Sequence, residues 1–387
     1  MKIALLTDGI HPYVIGGMQK HSFYLAKYFA LNKIEVDLYH TANDLEKANT
    51  LDCFSDDEKK YICSYAIPFP KLDSFPGHYI REMHDYSFST FLKLKEKGPV
   101  DFIYVQGLCG MKLLENKQEV SAPVGVNFHG LEMFQKAANF RSKLEQFLFK
   151  KPVLKSLINA DVVFSLGGKL TELLVSQGIP KQKISQVSIG IDPSWIKKEE
   201  IVSHTDITFV FVGRYERRKG IEELLIVLNK IDNQKFQFHF IGAIPESKQL
   251  TDAHLHYWGN ITDSSKIKEI LKTSDILVCP SYSEGMPTVI LEGMASGLAI
   301  IASNVGAVSE QVNTTNGILV EPGDIKQLEQ ALLEMLSIAP DRLIGMKKKS
   351  IDAIQKQFLW DSIIKKNISE IQRIIHNFSD NYHSFPL

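Results

Sequence analysis

The chain has 387 residues, of which 44% are hydrophobic and 23% are charged, and its 44 lysines and arginines nearly balance its 45 acids. This length and composition predict a globular protein of two or three domains and exclude global disorder. The near-zero net charge excludes a general nucleic-acid-binding protein, and any anionic ligand must be held by local charge.

Short apolar runs alternate with helical patterns in the first half of the chain. Strands are predicted at Lys2–Thr7, Ile34–Tyr39, Asp101–Gln106, Val124–Phe128 and Asp161–Ser165, with helices between them, for example at 18–31 and 79–97. Strands that alternate with helices imply right-handed βαβ units and a parallel sheet.

A polar segment, 191–206, separates this run from a second one and is the predicted linker. Strands follow at Ile207–Val212, Gln237–Ile241, Leu255–Trp258, Ile276–Cys279 and Ala299–Ala302. Beyond Pro340 the pattern predicts helix almost to the end of the chain. The two runs predict two doubly wound α/β domains, and such sheets bind ligands beyond the carboxyl ends of their strands.

The start of the chain and its cysteines indicate a cytoplasmic location. The first apolar run is too short for a signal peptide, and no stretch of 18 apolar residues predicts a spanning helix. The four cysteines show no C-x-x-C spacing, which disfavours a zinc cage or a disulfide framework and favours free thiols.

Two glycines, Gly16 and Gly17, precede the first predicted helix. Glycine lets the backbone approach a ligand closely, and the free N–H groups at a helix start favour an anion. The spacing is not G-x-G-x-x-G, so the dinucleotide-binding fingerprint is absent. A plain loop is the alternative.

A charged loop, GRYERRKG, occupies residues 213–220 after the strand Ile207–Val212. Arg214 can donate two hydrogen bonds to phosphate oxygens, and Lys219 adds a mobile point charge. The alternative is a solvated loop, and we expect Arg217 and Arg218 to point to water. A G-x-x-x-x-G-K-[ST] motif is absent, which disfavours a P-loop nucleotidase.

A third loop, 280–292, carries two glutamates eight residues apart. Pro287 fits the first turn of the helix that follows, which places Glu284 in the loop and Glu292 about two turns later. Carboxylates only accept hydrogen bonds and suit paired sugar hydroxyls. The alternative for Glu292 is an exposed helix charge, which its apolar neighbours disfavour.

A histidine, His129, directly follows the predicted strand 123–128. An imidazole at the carboxyl end of a strand can exchange protons near neutral pH. The alternative is a purely structural histidine, since a lone histidine carries little information by itself.

The set of these residues resembles the family-4 retaining glycosyltransferases of the GT-B fold. The similarity rests on Gly16-Gly17 with His21, Gly213-Arg214 with Lys219-Gly220, and Glu284 with Glu292. It covers nearly the whole chain, and the E-x7-E segment is its most specific motif. Pro287 stands where many members have glycine, and Gly293 where alanine is usual, which affects donor selectivity and not the class.

The resemblance implies the GT-B architecture, in which two Rossmann-like doubly wound domains face each other across a cleft. The N-terminal, acceptor-binding domain would span residues 1–192, and the C-terminal, nucleotide-sugar-binding domain residues 205–360. The last helix, 361–387, would cross back and complete the N-terminal domain.

The resemblance also implies the role of each site residue. In the C-terminal domain, Arg214 and Lys219 would bind the diphosphate of the donor, and Glu292 would bind its ribose hydroxyls. The donor sugar would contact Glu284 and the backbone of Gly285, Met286, Pro287 and Thr288. From the other domain, Gly16 and Gly17 would approach the phosphates or the sugar.

The predicted catalytic residues are therefore His129, which would bind the sugar or support the transition state, and Glu284. The predicted reaction moves a hexose-type sugar, with retention, from a nucleoside-diphosphate sugar to a glycan, a lipid-linked saccharide or a small molecule. No cofactor and no nucleic acid are expected. No metal is expected either, because the chain has no D-x-D pair. The alternatives are a nucleotide-sugar epimerase or hydrolase on the same fold, and a non-catalytic nucleotide-sugar-binding protein.

A basic segment, 140–155, has apolar residues at helical spacing. Such a helix could lie on the inner face of an anionic membrane and reach a lipid-linked acceptor. The alternative is a helix packed in the core with a solvated face. The acceptor is expected near 71–81 and 107–111, where the sequence shows no motif that names it.

Overall fold

The computed structural model describes residues 1–72, 77–201, 206–231, 236–261 and 263–382. Parts of three predicted segments lie outside these residues: 73–76 of the acceptor segment, 202–205 of the linker and 383–387 of the last helix. Among the described residues, the strands form two parallel sheets.

The N-terminal sheet has the order β3-β2-β1-β4-β5-β6-β7. Its strands are β1 (Lys2–Leu6), β2 (Glu35–His40), β3 (Ile62–Ala66), β4 (Phe102–Gln106), β5 (Val124–Asn127), β6 (Val162–Ser165) and β7 (Ile184–Gln186). The helices around it are α1 (Gly17–Leu31), α2 (Leu45–Asn49), α3 (Asp56–Lys59), α4 (His78–Lys97), α5 (Met111–Glu115), α6 (Phe140–Asn159) and α7 (Lys169–Ser176).

The C-terminal sheet has the order β10-β9-β8-β11-β12-β13. Its strands are β8 (Ile207–Val212), β9 (Phe236–Ile241), β10 (Leu255–Tyr257), β11 (Ile276–Cys279), β12 (Ala299–Ser303) and β13 (Gly317–Val320). The helices are α8 (Ile221–Leu228), α9 (Ser264–Thr273), α10 (Thr288–Ala295), α11 (Val308–Gln311), α12 (Ile325–Leu336) and α13 (Pro340–Ala353).

The last helix, α14 (Trp360–Tyr382), packs against the N-terminal domain. Ile364 and Ile371 are buried with Leu25 and Phe29 of α1. The Trp360 ring stacks on the rings of Tyr24 and Tyr28 of α1, and in both pairs the ring centroids are 5.6 Å apart. The last helix therefore ties the end of the chain to its first domain.

Three strands, β3, β7 and β13, were not among the sequence predictions, and all three lie at a sheet edge. Central strands of a parallel sheet are covered on both faces and show nearly continuous apolar runs. These edge strands are short or contain polar residues, for example Ile184–Gln186 (ISQ). Hydrophobic patterning therefore finds the central strands of both sheets and, of the four edge strands, only β10.

Each sheet reverses its winding direction between two neighbouring strands. The reversal lies between β1 and β4 in the first sheet, and between β8 and β11 in the second. Loops at such a switch point diverge and leave a crevice that binds ligands. The doubly wound architecture thus places the loops after β8 and β11 beside one crevice, as the sequence predicts.

Candidate active site

The two domains touch where the loop after β11 meets the loop after β5. A Cβ atom on Gly285 would come within 2.3 Å of the carbonyl oxygen of His129. Any larger residue would push the domains apart, because such a separation is far shorter than a van der Waals contact. The absence of a side chain at Gly285 therefore allows the predicted sugar-binding loop to reach the predicted catalytic histidine.

Glu284 follows β11 and is buried at this contact. Its Oε1 accepts hydrogen bonds from Lys219 Nζ at 2.5 Å and from Ser281 Oγ at 2.8 Å. Burial opposes its ionisation, but the charges of Lys219 and Arg218 outweigh that effect and hold the pKa of the carboxyl below its usual value. Glu284 is therefore a charged hydrogen-bond acceptor at neutral pH.

The charged loop 213–220 differs from its prediction in the directions of its arginines. Arg217 forms two hydrogen bonds with Glu223, at 2.8 and 2.5 Å, and lies over the Tyr282 ring. Arg218 pairs with Glu216 at 3.0 Å and faces Glu284 at 3.6 Å. The expectation that these two arginines point to water is wrong, because folding brings three acids beside them.

Arg214, in contrast, has a side chain that is 78% exposed and pairs with Glu216 at 2.9 Å. Lys219 is the more enclosed of the two predicted phosphate ligands, with its ammonium group directed to Glu284. Arg218 is a further cation at the cleft that the sequence prediction assigned to solvent. The loop thus offers an enclosed lysine and arginine beside Glu284, and a mostly exposed outer arginine that pairs with Glu216.

Glu292 lies on α10 with a side chain that is only 11% exposed, and its Oε1 pairs with Lys20 Nζ of α1. The alternative of an exposed helix charge is therefore wrong. The Lys20 ammonium group also lies 5.0 Å from the centre of the Trp195 ring. The Lys20 ammonium group, which belongs to the first domain, therefore lies beside the carboxylate that is predicted to bind ribose.

His129 sits directly after β5 with φ of 56°. Its Nε2 lies within hydrogen-bonding distance of the Gln106 side-chain amide, 2.7 Å from Oε1. Desolvation lowers the pKa of His129 to about 4. The ring is therefore neutral at physiological pH, with one ring nitrogen a hydrogen-bond donor and the other an acceptor.

His21 of α1 lies edge-on to His129, with ring centroids 4.8 Å apart, and 5.4 Å from the Trp360 ring. Neither of its ring nitrogens has a hydrogen-bond partner among the described residues. Desolvation, reinforced by His129, lowers the pKa of His21 well below its ordinary value. A neutral imidazole pair therefore lines the N-terminal side of the cleft.

The other predicted donor residues lie at helix starts. Gly16 caps α1, and a Cβ on Gly17 would meet open space. Met286 is buried, Pro287 is the residue before α10, and Thr288 is the first residue of that helix. Two helix N-termini, one from each domain, therefore carry the predicted donor-binding backbone.

Sequence reasoning missed a carboxyl group, Asp8, at the switch point of the first sheet. It follows β1, accepts a hydrogen bond from Gln19 Nε2 at 2.7 Å and lies 3.5 Å from the Tyr79 hydroxyl. Burial raises the pKa of Asp8 to about 6. The sequence feature that could have identified Asp8 is its position directly after a buried strand.

Sequence reasoning also missed two side chains that cross from the first domain to the motif glutamates. One is Lys20, which is described above, and the other is Gln135, which bonds to the backbone of Glu284. No motif marks either residue, since neither lies at a fixed spacing from the glutamates.

The part of the chain that the structure describes contains neither a cluster of metal ligands nor a membrane-spanning helix. No group of three or more histidine, cysteine, aspartate or glutamate side chains is placed to hold a metal ion. No helix there is both long and apolar enough to cross a membrane.

Two facing doubly wound domains with a cation-lined cleft between them define the GT-B architecture. The family model Glycosyltransferase Family 4 matches residues 15–195, and the family model Glycosyl transferases group 1 matches residues 206–337. The chain belongs to this glycosyltransferase family, and the predicted family and fold class are confirmed.

Known relatives agree with this assignment. A Bacillus subtilis protein with the name "putative teichuronic acid biosynthesis glycosyltransferase TuaC" is 29% identical over 192 residues, which cover 47% of this chain and 48% of TuaC. A Campylobacter jejuni N,N'-diacetylbacillosaminyl-diphospho-undecaprenol α-1,3-N-acetylgalactosaminyltransferase is 26% identical over 268 residues, covering 64% of this chain and 70% of that protein.

Among solved structures, sucrose-phosphate synthase from Thermosynechococcus elongatus superposes with a TM-score of 0.80. It is 19% identical, and the match covers 97% of this chain and 99% of that chain. At this identity the likeness concerns the fold, and it extends over both domains and the last helix.

Proposed function

We propose that this glycosyltransferase moves a hexose-type sugar, with retention of configuration, from a nucleoside-diphosphate sugar to a glycan or lipid-linked acceptor. The observation that carries the proposal is the arrangement at Glu284, where Lys219 and Arg218 meet a buried carboxylate opposite His129. Cations that face a small polar site can hold a diphosphate leaving group while the carboxylate binds sugar hydroxyls.

Retention is what the family resemblance implies, and the side chains of the site bear on the route by which it could occur. Glu284 Oε1 is held by Lys219 and Ser281, which makes this oxygen a poor nucleophile. His129 is neutral, and its Nε2 contacts the side-chain amide of Gln106. A route in which the acceptor attacks on the face that the diphosphate leaves needs no protein nucleophile and fits these constraints.

Metal independence is supported by the charge available to the leaving group. The sequence has no D-x-D pair, and hard divalent ions need several oxygen ligands. Lys219, Arg218 and the N-terminus of α10 can meet the phosphate charge without a metal. We therefore expect transfer to persist in excess EDTA with at most a modest change in rate.

The test is to incubate the protein with UDP-, GDP-, ADP- and CDP-sugars, with and without glycan and lipid-linked acceptors, and to assign the anomeric configuration of the product by NMR. Transfer with retention is the expected result. Free sugar or an isomer without an acceptor indicates the hydrolase or epimerase alternative, and binding without turnover indicates the binding-protein alternative. Complete loss of activity in EDTA, restored by Mn²⁺ or Mg²⁺, would contradict the proposed charge compensation.

Contact with an anionic membrane is a further part of this proposal, and α6 supports it. The first turns of α6 expose Phe140 (83%), Leu144 (51%) and Phe147 (71%). Five cations and one acid share residues 140–155. An apolar stripe bordered by cations is the pattern of a helix that lies in a membrane interface.

The position of α6 fits the delivery of a lipid-linked acceptor. Phe149 of α6 lies against Tyr79, with ring centroids 6.1 Å apart, and the Tyr79 hydroxyl is 3.5 Å from Asp8. The helix that carries the exposed stripe thus packs beside the crevice of the first sheet through Phe149, on its opposite face.

Flotation with phosphatidylcholine vesicles, with and without phosphatidylglycerol, tests this contact. We expect co-flotation that needs the anionic lipid and is lost in the double variant Phe140→Ser with Phe147→Ser. Ile226→Ser, at an exposed apolar residue of α8, is the matched control. Equal recovery with both vesicle types at low salt would reject membrane contact and leave the transferase proposal standing.

A further inference from the structure

Each of the two motif glutamates is held by a side chain of the opposite domain. The Glu292 carboxylate pairs with Lys20 of α1. The backbone of Glu284 bonds to Gln135, in the loop before α6. The two contacts lie at the two ends of the E-x7-E segment.

Gln135 bonds to both backbone groups of Glu284. Its Nε2 donates to the carbonyl oxygen of Glu284 at 2.6 Å, and its Oε1 accepts from the Glu284 N–H at 3.4 Å. The same Nε2 also donates to the carbonyl oxygen of Gly130. One side-chain amide therefore fixes the turn that carries Glu284 relative to the His129 loop.

The Gln135 loop is itself anchored. Gln146 Nε2 of α6 donates to the carbonyl oxygen of Glu132 at 2.8 Å and to that of Gln135 at 3.4 Å. The backbone of Gln135 is thus anchored to α6. Its side-chain amide therefore reaches Glu284 from a fixed position in the first domain.

Lys20 is the charged partner that the structure gives to Glu292. Its ammonium group lies between the Glu292 carboxylate and the face of Trp195, at the junction of the two domains. Lys268 of the second domain lies over the same ring, 4.8 Å from its centre. A carboxylate with so little exposure keeps one orientation when a cation binds one of its oxygens, and its Oε2 stays available to a ligand.

We propose that Lys20 and Gln135 are positioning residues that hold Glu292 and Glu284 for the donor, so that the donor site is complete only while the two domains meet. This inference rests on the proposed function. Lys20 acts on the ribose end of the site, and Gln135 acts on the sugar end. The two residues therefore predict different defects.

The chain offers matched controls for a general weakening of the domain contact. Lys136 Nζ donates to the carbonyl oxygen of Pro322 at 2.7 Å, and Lys169 Nζ donates to that of Asn304 at 2.6 Å. Both bonds join the two domains, and neither touches a motif glutamate. Lys136→Ala and Lys169→Met therefore report what the loss of any domain contact does.

The experiment measures calorimetric dissociation constants for whichever of UDP, GDP, ADP and CDP raises the unfolding temperature of the unaltered protein most, and for its nucleotide sugar. We expect Lys20→Met to weaken binding of the nucleoside diphosphate about tenfold, the range for a lost hydrogen bond to a charged group. Lys20→Arg, which keeps the charge, is expected to recover most of that loss.

Gln135→Met is expected to leave the affinity for the nucleoside diphosphate within about twofold, because its partner is the backbone of the sugar-binding residue. The ratio of the dissociation constant of the nucleoside diphosphate to that of the nucleotide sugar is expected to become smaller. In turnover, kcat is expected to fall by a larger factor than KM rises. The control variants are expected to behave like the unaltered protein in both measurements.

Tighter binding in Lys20→Met would overturn the positioning role and make Lys20 a competitor of ribose. If the Lys20 and Gln135 variants show defects equal to those of the control variants, both residues contribute only to the contact between the domains and do not position the glutamates. If none of the four nucleotides binds the unaltered protein, the proposed function fails instead. Unfolding temperatures of all variants identify any loss that comes from misfolding.

Discussion

The two sides of the cleft bring opposite kinds of chemistry to the same place. The C-terminal side is ionic, and its Glu284 stays charged because Lys219 and Arg218 overcome the effect of burial on its pKa. On the N-terminal side the surroundings of His129 are neutral, and burial alone lowers the pKa of His129 to about 4. Both groups are thereby fixed in one protonation state near neutral pH, which suits a site that binds charge on one side and positions hydroxyls on the other.

The largest effect is expected on the neutral side. His129→Ala is expected to lower kcat about 100-fold, the range for the loss of one preorganised polar group at a reacting centre. Binding of the nucleoside diphosphate is expected to change little, since its phosphates face the other domain. Single-turnover kinetics together with calorimetry separate the two quantities. A loss confined to nucleotide affinity would contradict the catalytic role proposed for His129.

The next largest effect is expected in the charged loop. Lys219→Ala is expected to weaken binding of the nucleoside diphosphate roughly 10- to 100-fold, because it removes a charge-assisted hydrogen bond in an enclosed site. Arg214→Ala is expected to cost less, because the side chain is 78% exposed and must turn inward to bind. Calorimetry on both variants tests this order, and a larger loss in Arg214→Ala would contradict it.

The two glutamates are expected to differ more modestly. Glu292→Gln is expected to raise the dissociation constant of the nucleoside diphosphate about tenfold, since a carboxylate is lost at the ribose end. Glu284→Gln is expected to spare that constant and to damage turnover. The reverse pattern in calorimetry and initial rates would mean that the ribose and sugar roles are exchanged.

The neutrality of His129 predicts a difference in acid stability. The unfolded chain binds a proton at this residue near pH 6.5 and the folded chain only near pH 4, so the free energy of unfolding falls as the pH drops between these values. His129→Gln removes that contribution and is expected to show a shallower fall. Unfolding temperatures between pH 7 and pH 4 measure it, and parallel curves for the two proteins would show that the ring is not held neutral.

The smallest effect on donor binding is expected at Arg217. Its guanidinium group is bound to Glu223 and lies over Tyr282. Arg217→Ala is therefore expected to change the nucleotide dissociation constant less than about twofold and to reduce stability by about 1–2 kcal/mol, since a half-buried ion pair is lost. Chemical denaturation and calorimetry on one preparation measure both, and a large loss of affinity would mean that Arg217 reaches the phosphates.

Sequence reasoning reached the fold and the loops of the site through local signals. Apolar runs marked the central strands, and the residues directly after them lie at the carboxyl edges of the sheets. That rule put His129 and Glu284 at the carboxyl ends of strands, and the family resemblance implied that the two ends face one cleft. It failed at the edge strands, such as β7, whose sequence ISQ carries no apolar run.

The sequence by itself determined which loops face the cleft, because strand periodicity and glycine, proline and charge patterns act over a few residues. Only the tertiary structure decided which partner each charge has. Arg218 turns to Glu284, and Lys20 pairs with a glutamate 272 positions away. Ion pairs and amide contacts depend on distances of a few ångströms between segments that are far apart in the chain. Those distances are set by how two separate cores pack, and no spacing within the sequence records them.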